Sequence, residues 1–136
     1  MKREGDKRLG SWLALSQLKD TIEAELEKRL KSENDLTLNE FYVLYHLSAE
    51  ETKKMRLQQL QEKVGLSQSA LSRLIVRMEE KNCGVITRHN CVEDKRGIYV
   101  GITERGEQLL HKAEATVEDV LKKILPEPTI LKNMMG

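Results

Sequence analysis

The sequence predicts a mainly α-helical fold that carries one small β-hairpin. Apolar residues recur three or four positions apart in several segments, which is the spacing of amphipathic helices. One polar stretch with a glycine, HNCVEDKRG (89–97), interrupts this pattern and lies between short runs rich in β-branched residues. The 136 residues, 39% of them hydrophobic and 33% charged, suffice for one domain with its own core and are too few for two.

The composition argues against several classes of protein. No run approaches the roughly 18 apolar residues of a membrane span, and no apolar stretch follows the basic N-terminus, so we expect a cytoplasmic protein without a signal peptide. Two cysteines, Cys83 and Cys91, argue against a disulfide framework. Three histidines without a nucleophile motif, a glycine-rich phosphate loop or paired carboxylates argue against an enzyme and against a bound cofactor.

Charge is distributed unevenly along the chain, although the formal net charge is only +1. Residues 53–105 carry eleven Lys and Arg against six Asp and Glu, whereas the remainder carries twelve against sixteen. A basic middle between acidic ends is typical of a nucleic-acid-binding surface, and it is equally compatible with an ordinary solvated surface.

Two amphipathic helices are predicted in the first third of the chain. The first covers residues 9–31, where Leu15, Leu18, Ile22, Leu26 and Leu30 fall three or four apart. A polar break at 31–35 precedes Thr37-Leu38-Asn39-Glu40, which has the pattern of a capping box and begins the second helix. The residues that we expect this second helix to bury are Phe41, Leu44, Tyr45 and Leu47, and a polar loop at 48–54 follows.

A helix–turn–helix unit is predicted next. The first of its helices has Leu57, Leu60 and Val64 on one face, Gly65 and Leu66 form the turn, and Ser67 is a suitable N-cap. The second helix is expected to bury one stripe, which consists of Leu66, Ala70, Leu71, Leu74, Ile75 and Met78. Its other face has short polar and basic side chains that suit base edges and phosphates, namely Gln68, Ser69, Ser72, Arg73 and Arg77.

A β-hairpin is predicted immediately after this second helix. Its strands are 85–89 and 98–102, because β-branched residues dominate both and apolar residues alternate in the second. The connecting loop places Lys95 and Arg96 at its tip, where basic side chains can enter a minor groove of high negative potential. Gly97 permits a sharp turn, and Asp94 can pair with Arg96 and fix its direction.

The last predicted helix begins after Thr103, with Glu104 and Glu107 near its positive end. Its apolar residues form a narrow seam that is typical of packing against another helix, namely Leu110, Ala113, Val117, Val120 and Ile124. Pro126 and Pro128 are expected to end it.

This order of elements resembles the MarR family of winged-helix transcriptional regulators. The resemblance rests on GLSQSALSRLIVRMEEKN (65–82) and EDKRGIYVGITERGEQLL (93–110), and the element order matches over nearly the whole chain. It implies a winged helix–turn–helix over 37–102, in which the hairpin is the wing, between long dimerisation helices at 9–31 and 104–136. The sequence departs from the family at Asn82-Cys83, where relatives usually run from Lys into Gly-Leu, so we expect the wing to begin at a slightly shifted position.

The resemblance also implies a function. Members are homodimers, usually repressors, that place two recognition helices in successive major grooves of a pseudo-palindromic site on double-stranded DNA. Arg73 corresponds to their recognition-helix arginine, Arg96 to their wing arginine and Asp94 to its supporting aspartate. The family often binds small anionic phenolic effectors, and three aromatic residues are candidates for such a site as well as for the core, namely Trp12, Tyr42 and Tyr45.

Three alternatives remain at this point. A winged-helix module for protein–protein interaction would have an apolar or acidic recognition face, which this sequence lacks. Cys83 and Cys91 lie on either side of the first wing strand, where they suit a thiol-based redox sensor, a thiol peroxidase or a structural role. His46 and His111, with Glu107 one turn before the latter, suggest a zinc site, but two scattered histidines form a weak ligand set and we expect no metal.

Overall fold

The computed structural model describes residues 4–90, 97–125 and 132–133, with side chains from residue 7 onward. The elements in chain order are α1 (Glu4–Asn34), α2 (Leu38–Ala49), β1 (Lys54–Arg56), α3 (Leu57–Val64), α4 (Gln68–Glu80), a 3₁₀ turn (Lys81–Cys83), β2 (Ile86–Asn90), β3 (Ile98–Ile102) and α5 (Glu104–Ile124). The strands form one antiparallel sheet in the order β1-β3-β2. The predicted fold class, mainly α with a small β-hairpin wing, is confirmed.

The two terminal helices pack against each other. Ile22, Leu26 and Leu30 of α1 are buried in one core cluster with residues of α5. At the rim of this contact Arg29 donates to a carboxylate oxygen of Asp119 at 3.0 Å. The ammonium of Lys123 and the guanidinium of Arg29 hold the pKa of the Asp119 carboxyl below its usual range. Apolar packing and this ion pair therefore hold α1 against α5.

Helix α1 is longer than predicted. The expected polar break at 31–35 is wrong, because the helix continues through Asn34 and ends only where Asp35 adopts a positive φ of 50°. A contact that the local sequence does not encode holds this last turn, since Thr116 of α5 donates to Asn34 Oδ1 at 2.9 Å. The last helix, in contrast, ends at Ile124; Pro126 and Pro128, its predicted stops, lie outside the described residues.

The capping box of α2 is confirmed. Glu40 N–H donates to Thr37 Oγ1 at 3.1 Å, and Thr37 N–H donates to Glu40 Oε1 at 2.8 Å. The predicted buried face is wrong at one position, because Tyr45 is 50% exposed and Val43 is buried in its place. Helix α2 is apolar on most sides, so its spacing did not determine which side faces the core.

The first strand was not predicted. Residues 54–56 form β1, which pairs with β3 where the sequence indicated the end of a polar loop and the approach to a helix. Met55 is buried opposite Val100, and this contact packs β1 against the core. The addition of β1 turns the hairpin into a three-stranded sheet with one face on the core.

Helix α5 begins at a close backbone approach to the start of the wing. The Thr103 hydroxyl accepts from Gly106 N–H at 3.1 Å, as the predicted cap requires, and it also donates to the Gly84 carbonyl at 2.7 Å. A Cβ on Gly106 would lie 2.1 Å from the carbonyl oxygen of Val85. Only glycine fits at Gly106, and this approach fixes where the wing leaves the helical body.

No helix in the described part of the chain is both long enough and apolar enough to cross a membrane.

Candidate nucleic-acid interface

The helix–turn–helix is formed by α3 and α4. Gly65 ends α3 with a φ of 76°, a left-handed conformation that glycine adopts without strain. Ser67 then caps α4 by accepting from Ala70 N–H at 3.2 Å, as predicted. Of the stripe predicted to be buried, Leu66 and Ala70 near the turn are only half-buried; the remaining four residues are buried, namely Leu71, Leu74, Ile75 and Met78.

The outer face of α4 is open to solvent. All five residues that the sequence assigned to DNA contact on this helix are exposed, namely Gln68, Ser69, Ser72, Arg73 and Arg77. Within the described residues, neither Arg73 nor Arg77 forms a salt bridge. The first turn contains no acidic residue to offset the positive end of the helix dipole. Further along the helix the same face also exposes Val76, at 45%, and Glu80 in the last turn.

A buried ion pair that was not predicted connects the C-terminal end of α4 to α2. Lys81, directly after the helix, places its ammonium 3.2 Å from Glu40 Oε1, and the Glu40 side chain is only 4% exposed. Because the same oxygen accepts from Thr37 N–H, the capping box of α2 and the end of α4 share one carboxylate. The only indication of this ion pair in the local sequence was a lysine at the end of an amphipathic helix.

The turn between α4 and the wing has an unusual backbone. Asn82 (φ 50°), Cys83 (φ 66°) and Gly84 (φ 97°) follow one another in positive-φ conformations. Asn82 and Cys83 are the residues at which the sequence departs from the family pattern, and β2 begins at Ile86, one residue later than predicted. Cys83 is exposed in this turn. Cys91, the second candidate thiol, lies outside the described residues.

The wing strands are paired in register from Ile86 with Ile102 to Asn90 with Ile98. Arg88 of β2 contacts Glu79 of α4 at 2.5 Å and ties the wing to the recognition helix. Gly97 is half-buried at the start of β3. The predicted tip residues Asp94, Lys95 and Arg96 lie outside the described residues.

Two of the three residues considered as zinc ligands, Glu107 and His46, have other contacts. Glu107 Oε2 accepts from Ser48 Oγ at 2.8 Å and its other oxygen lies 3.7 Å from Lys53 Nζ, so its carboxylate serves the contact of α2 with α5. The His46 ring packs edge-on against Tyr45 with centroids 5.3 Å apart, and burial, aided by the charge of Lys63, lowers its pKa. No group of three or more His, Cys, Asp or Glu that could hold a metal occurs in the part of the chain that the structure describes.

An apolar groove of about 1040 Å³ lies between α1, α2 and α5. Tyr42 and Tyr45 line it as the sequence suggested, together with His46, whereas Trp12 does not. Burial raises the pKa of the Tyr42 hydroxyl. The groove lies between the terminal helices and the helix that supports the recognition unit.

Comparison with known proteins gives one sequence family and one fold. The sequence model of the transcriptional regulators SarA/Rot matches residues 25–113. AbsC, a MarR family transcriptional regulator from Streptomyces coelicolor, superposes with a TM-score of 0.85 at 27% identity over 98% of this chain and 90% of AbsC.

Two further solved structures share the fold. Sco3205, a MarR family regulator from Streptomyces coelicolor solved in complex with DNA, has a TM-score of 0.84 at 19% identity over 98% of this chain and 84% of Sco3205. NadR, solved in complex with 4-hydroxyphenylacetate, has a TM-score of 0.71 at 19% identity over 90% of this chain and 87% of NadR. The predicted MarR-type fold is confirmed, and the matched family consists of transcriptional regulators and not of enzymes.

Proposed function

The chain belongs to the SarA/Rot family of transcriptional regulators, and we propose that it acts as a homodimer that binds a pseudo-palindromic DNA site and represses transcription from it. In this proposal α4 enters the major groove and the wing enters the adjacent minor groove. The protein would act in the cytoplasm, where its DNA target lies.

The exposed polar face of α4 is the observation that carries the proposal. Gln68, Ser69 and Ser72 are short enough for a close approach of the helix to base edges, and Gln68 offers both a donor and an acceptor. Arg73 is the residue that we assign to guanine or phosphate contact, because its guanidinium is exposed without a carboxylate partner in the described structure. A face used only for protein contact would be expected to expose several apolar side chains, whereas Val76 is the one large apolar side chain exposed on α4.

The dimer is supported by an uncovered apolar stripe on the N-terminal part of α1. Four large side chains there are 46–61% exposed, namely Leu9, Trp12, Leu13 and Leu15. Contiguous apolar surface of this kind is uncommon on a monomer and is typical of an interface. We propose that a second copy covers it, which would bring two α4 helices to one face of the dimer.

A small-molecule effector would fit the groove between the terminal helices and α2. Tyr42 supplies a hydroxyl, and His46 supplies a ring nitrogen. The rest of the lining is mostly apolar and also contains four charged residues, namely Lys19, Glu23, Glu114 and Glu118. NadR, which shares the fold, was solved with a phenolic acid bound. We propose a ligand of similar aromatic character, which would act by changing the relation of α1 and α5 to the recognition unit.

Alanine variants of Arg73 and Arg96 test the DNA-binding roles. We expect Arg96→Ala to weaken binding to all duplexes by a similar factor, because a minor-groove arginine reads mainly shape and charge. Arg73→Ala should weaken binding and also reduce the discrimination between sequences, with about 1–3 kcal/mol lost at the base that it contacts.

Fluorescence anisotropy with labelled duplexes measures both effects. Lys112→Ala, which removes one positive charge from the exposed side of α5, is the control and should bind as the wild type does. Wild-type affinity and specificity in both arginine variants would contradict the assigned roles.

A further inference from the structure

The outer face of the wing sheet has a cluster of basic and aromatic side chains that was not predicted from the sequence. Residues paired across strands share one face, and two rows of partners lie on the side away from the core. The row nearer the wing tip is Arg56, Tyr99 and His89; the row behind it is Lys54, Gly101 and Thr87. We call these six residues the outer wing face.

The opposite face of the sheet is the buried one. Met55, Val100 and Ile86 on that face are at most 4% exposed and belong to the core. On the outer wing face, in contrast, Tyr99 is half-buried and four of its other residues are exposed, namely Lys54, Arg56, Thr87 and His89. The alternation of the strands thus separates an inner face, which is apolar except for Arg88 and Asn90 near the wing loop, from an outer face without an acidic residue.

Tyr99 organises the cations of this face. The Arg56 guanidinium donates to the Tyr99 hydroxyl at 3.1 Å and lies 5.5 Å from the ring centroid, and Lys54 Nζ lies 5.8 Å from the same centroid. These contacts hold two positive charges over one ring. No carboxylate pairs with Lys54 in the described part of the chain.

Gly101 leaves a shallow recess at the centre of the outer wing face. A Cβ at this position would lie 3.6 Å from both Lys54 Cβ and Thr87 Oγ1 and 3.7 Å from His89 Nε2, so an alanine would fill the recess without a clash. The Thr87 hydroxyl and the His89 ring nitrogen are hydrogen-bonded to each other at 2.8 Å along its edge. The recess has the size of a methyl group and does not hold a phosphate itself. The cationic and hydroxyl groups around it are the groups that contact phosphate oxygens at a surface.

The position of the face relative to the wing tip indicates which phosphates it meets. Tyr99 follows Arg96 by three residues, which span at most about 10 Å of extended chain. The minor groove is about 7.5 Å deep. When Arg96 reaches the floor of the groove, Tyr99 is therefore within about 10 Å of that floor, a range that includes the rim where the sugar–phosphate backbone runs.

We propose that the outer wing face binds backbone phosphates of the DNA at the rim of the minor groove that the wing enters, with Lys54 and Arg56 as its charged contacts. This inference rests on the proposed function, because it requires the wing to engage DNA. It adds a second, sequence-independent contact to each wing, besides the arginine at the tip. The alternative is that the outer wing face binds the acidic surface of a partner protein. The experiment below distinguishes the two.

The salt dependence of DNA binding tests this proposal. For B-DNA each phosphate contact contributes about 0.9 to the slope of log K against log salt concentration. We expect Lys54→Gln/Arg56→Gln to reduce this slope by about 1.8 for each protomer and so by about 3.6 for the dimer, which makes the loss of affinity between 50 and 200 mM salt smaller by roughly a hundredfold. Lys54→Gln alone should reduce the slope by about half as much. It leaves the helix that begins after Arg56 intact, so misfolding cannot explain its effect.

Two further variants sharpen the test, which uses a labelled duplex of random sequence. Lys112→Gln/Lys122→Gln removes the same charge from exposed positions of α5 and should keep the wild-type slope. Gly101→Ala adds a methyl group at the centre of the face without a clash and with all charges retained, so it should keep the wild-type slope. An unchanged slope in Lys54→Gln and in the double variant, while the wild type binds and Arg73→Ala binds more weakly, would overturn this inference and favour a protein partner for the face. No DNA binding by the wild type would overturn the proposed function itself.

Discussion

Replacement of Gly106 by alanine tests the packing that joins the wing to the last helix. The methyl group would lie 2.1 Å from the Val85 carbonyl oxygen and 2.7 Å from Ile102 Cγ1, well inside van der Waals contact. The obstructing oxygen belongs to the backbone and accepts a hydrogen bond from Thr103 N–H at 3.1 Å. The backbone at Val85 cannot move away from α5 without loss of that bond and of the hydrogen bond from the Thr103 hydroxyl to the Gly84 carbonyl.

Three contributions determine the expected change in the free energy of unfolding. Overpacking of a close-packed site costs about 1–3 kcal/mol. The two hydrogen bonds at Thr103 contribute about 1 kcal/mol each. Alanine instead of glycine within a helix stabilises the folded state by about 1 kcal/mol. We therefore expect Gly106→Ala to lower the free energy of unfolding by about 2–4 kcal/mol, a large part of the typical 5–15 kcal/mol of a domain.

Urea unfolding followed by circular dichroism measures the effect at a fixed protein concentration. Gly10→Ala is the matched control, because Gly10 lies within α1 and a Cβ added there would have nothing within 4 Å of it. The same chemical change there should raise the free energy of unfolding by up to about 1 kcal/mol. Equal midpoints for Gly106→Ala and the wild type would refute the close approach of α5 to Val85.

The remaining predictions concern the dimer and the dependence of stability on pH. Leu13→Asp places a charge on the exposed apolar stripe of α1 and should halve the mass measured by sedimentation. Ala14→Asp, whose side chain points about 100° away around the helix, is the control and should leave the dimer intact. A dimeric mass for both variants would refute the assigned interface. Burial and Lys63 lower the pKa of His46 below its ordinary 6.5, so the folded state favours the neutral ring. The resulting stability is present above pH 6.5 and is lost as the pH falls through the lower, folded pKa. Denaturant unfolding of His46→Gln at pH 7.5 and 5.0 should show a smaller pH dependence than the wild type, and an equal dependence would exclude His46 as its source.

Features that depend on neighbouring residues were predicted well. Ser67 and Thr103 begin helices as expected, because an N-cap is recognised from its own side chain and the next turn. The strand 98–102 has the predicted bounds, because alternation over five residues is sufficient to indicate it. The exposed polar face of α4 followed in the same way from helical spacing.

Features that depend on distant parts of the chain were not predicted. Strand β1 has three residues of which only Met55 is apolar, and its partner β3 lies more than forty residues later in the sequence. The outer wing face therefore could not be assembled, since two of its six residues are on β1. The requirement for glycine at position 106 arises from the carbonyl of Val85, and the support of α4 by Lys81 arises from a carboxylate on α2. Each is a tertiary contact with no local signature.

Selection of binding sites from a random duplex pool by the wild-type protein, followed by sequencing, tests the central claim most directly. We predict enrichment of an inverted repeat whose half-sites are centred about 10–10.5 base pairs apart, since a two-fold dimer presents its recognition helices about one turn of DNA apart. Binding without enrichment of any motif would contradict sequence-specific readout by α4. Enrichment of a single, unrepeated half-site would contradict the dimer.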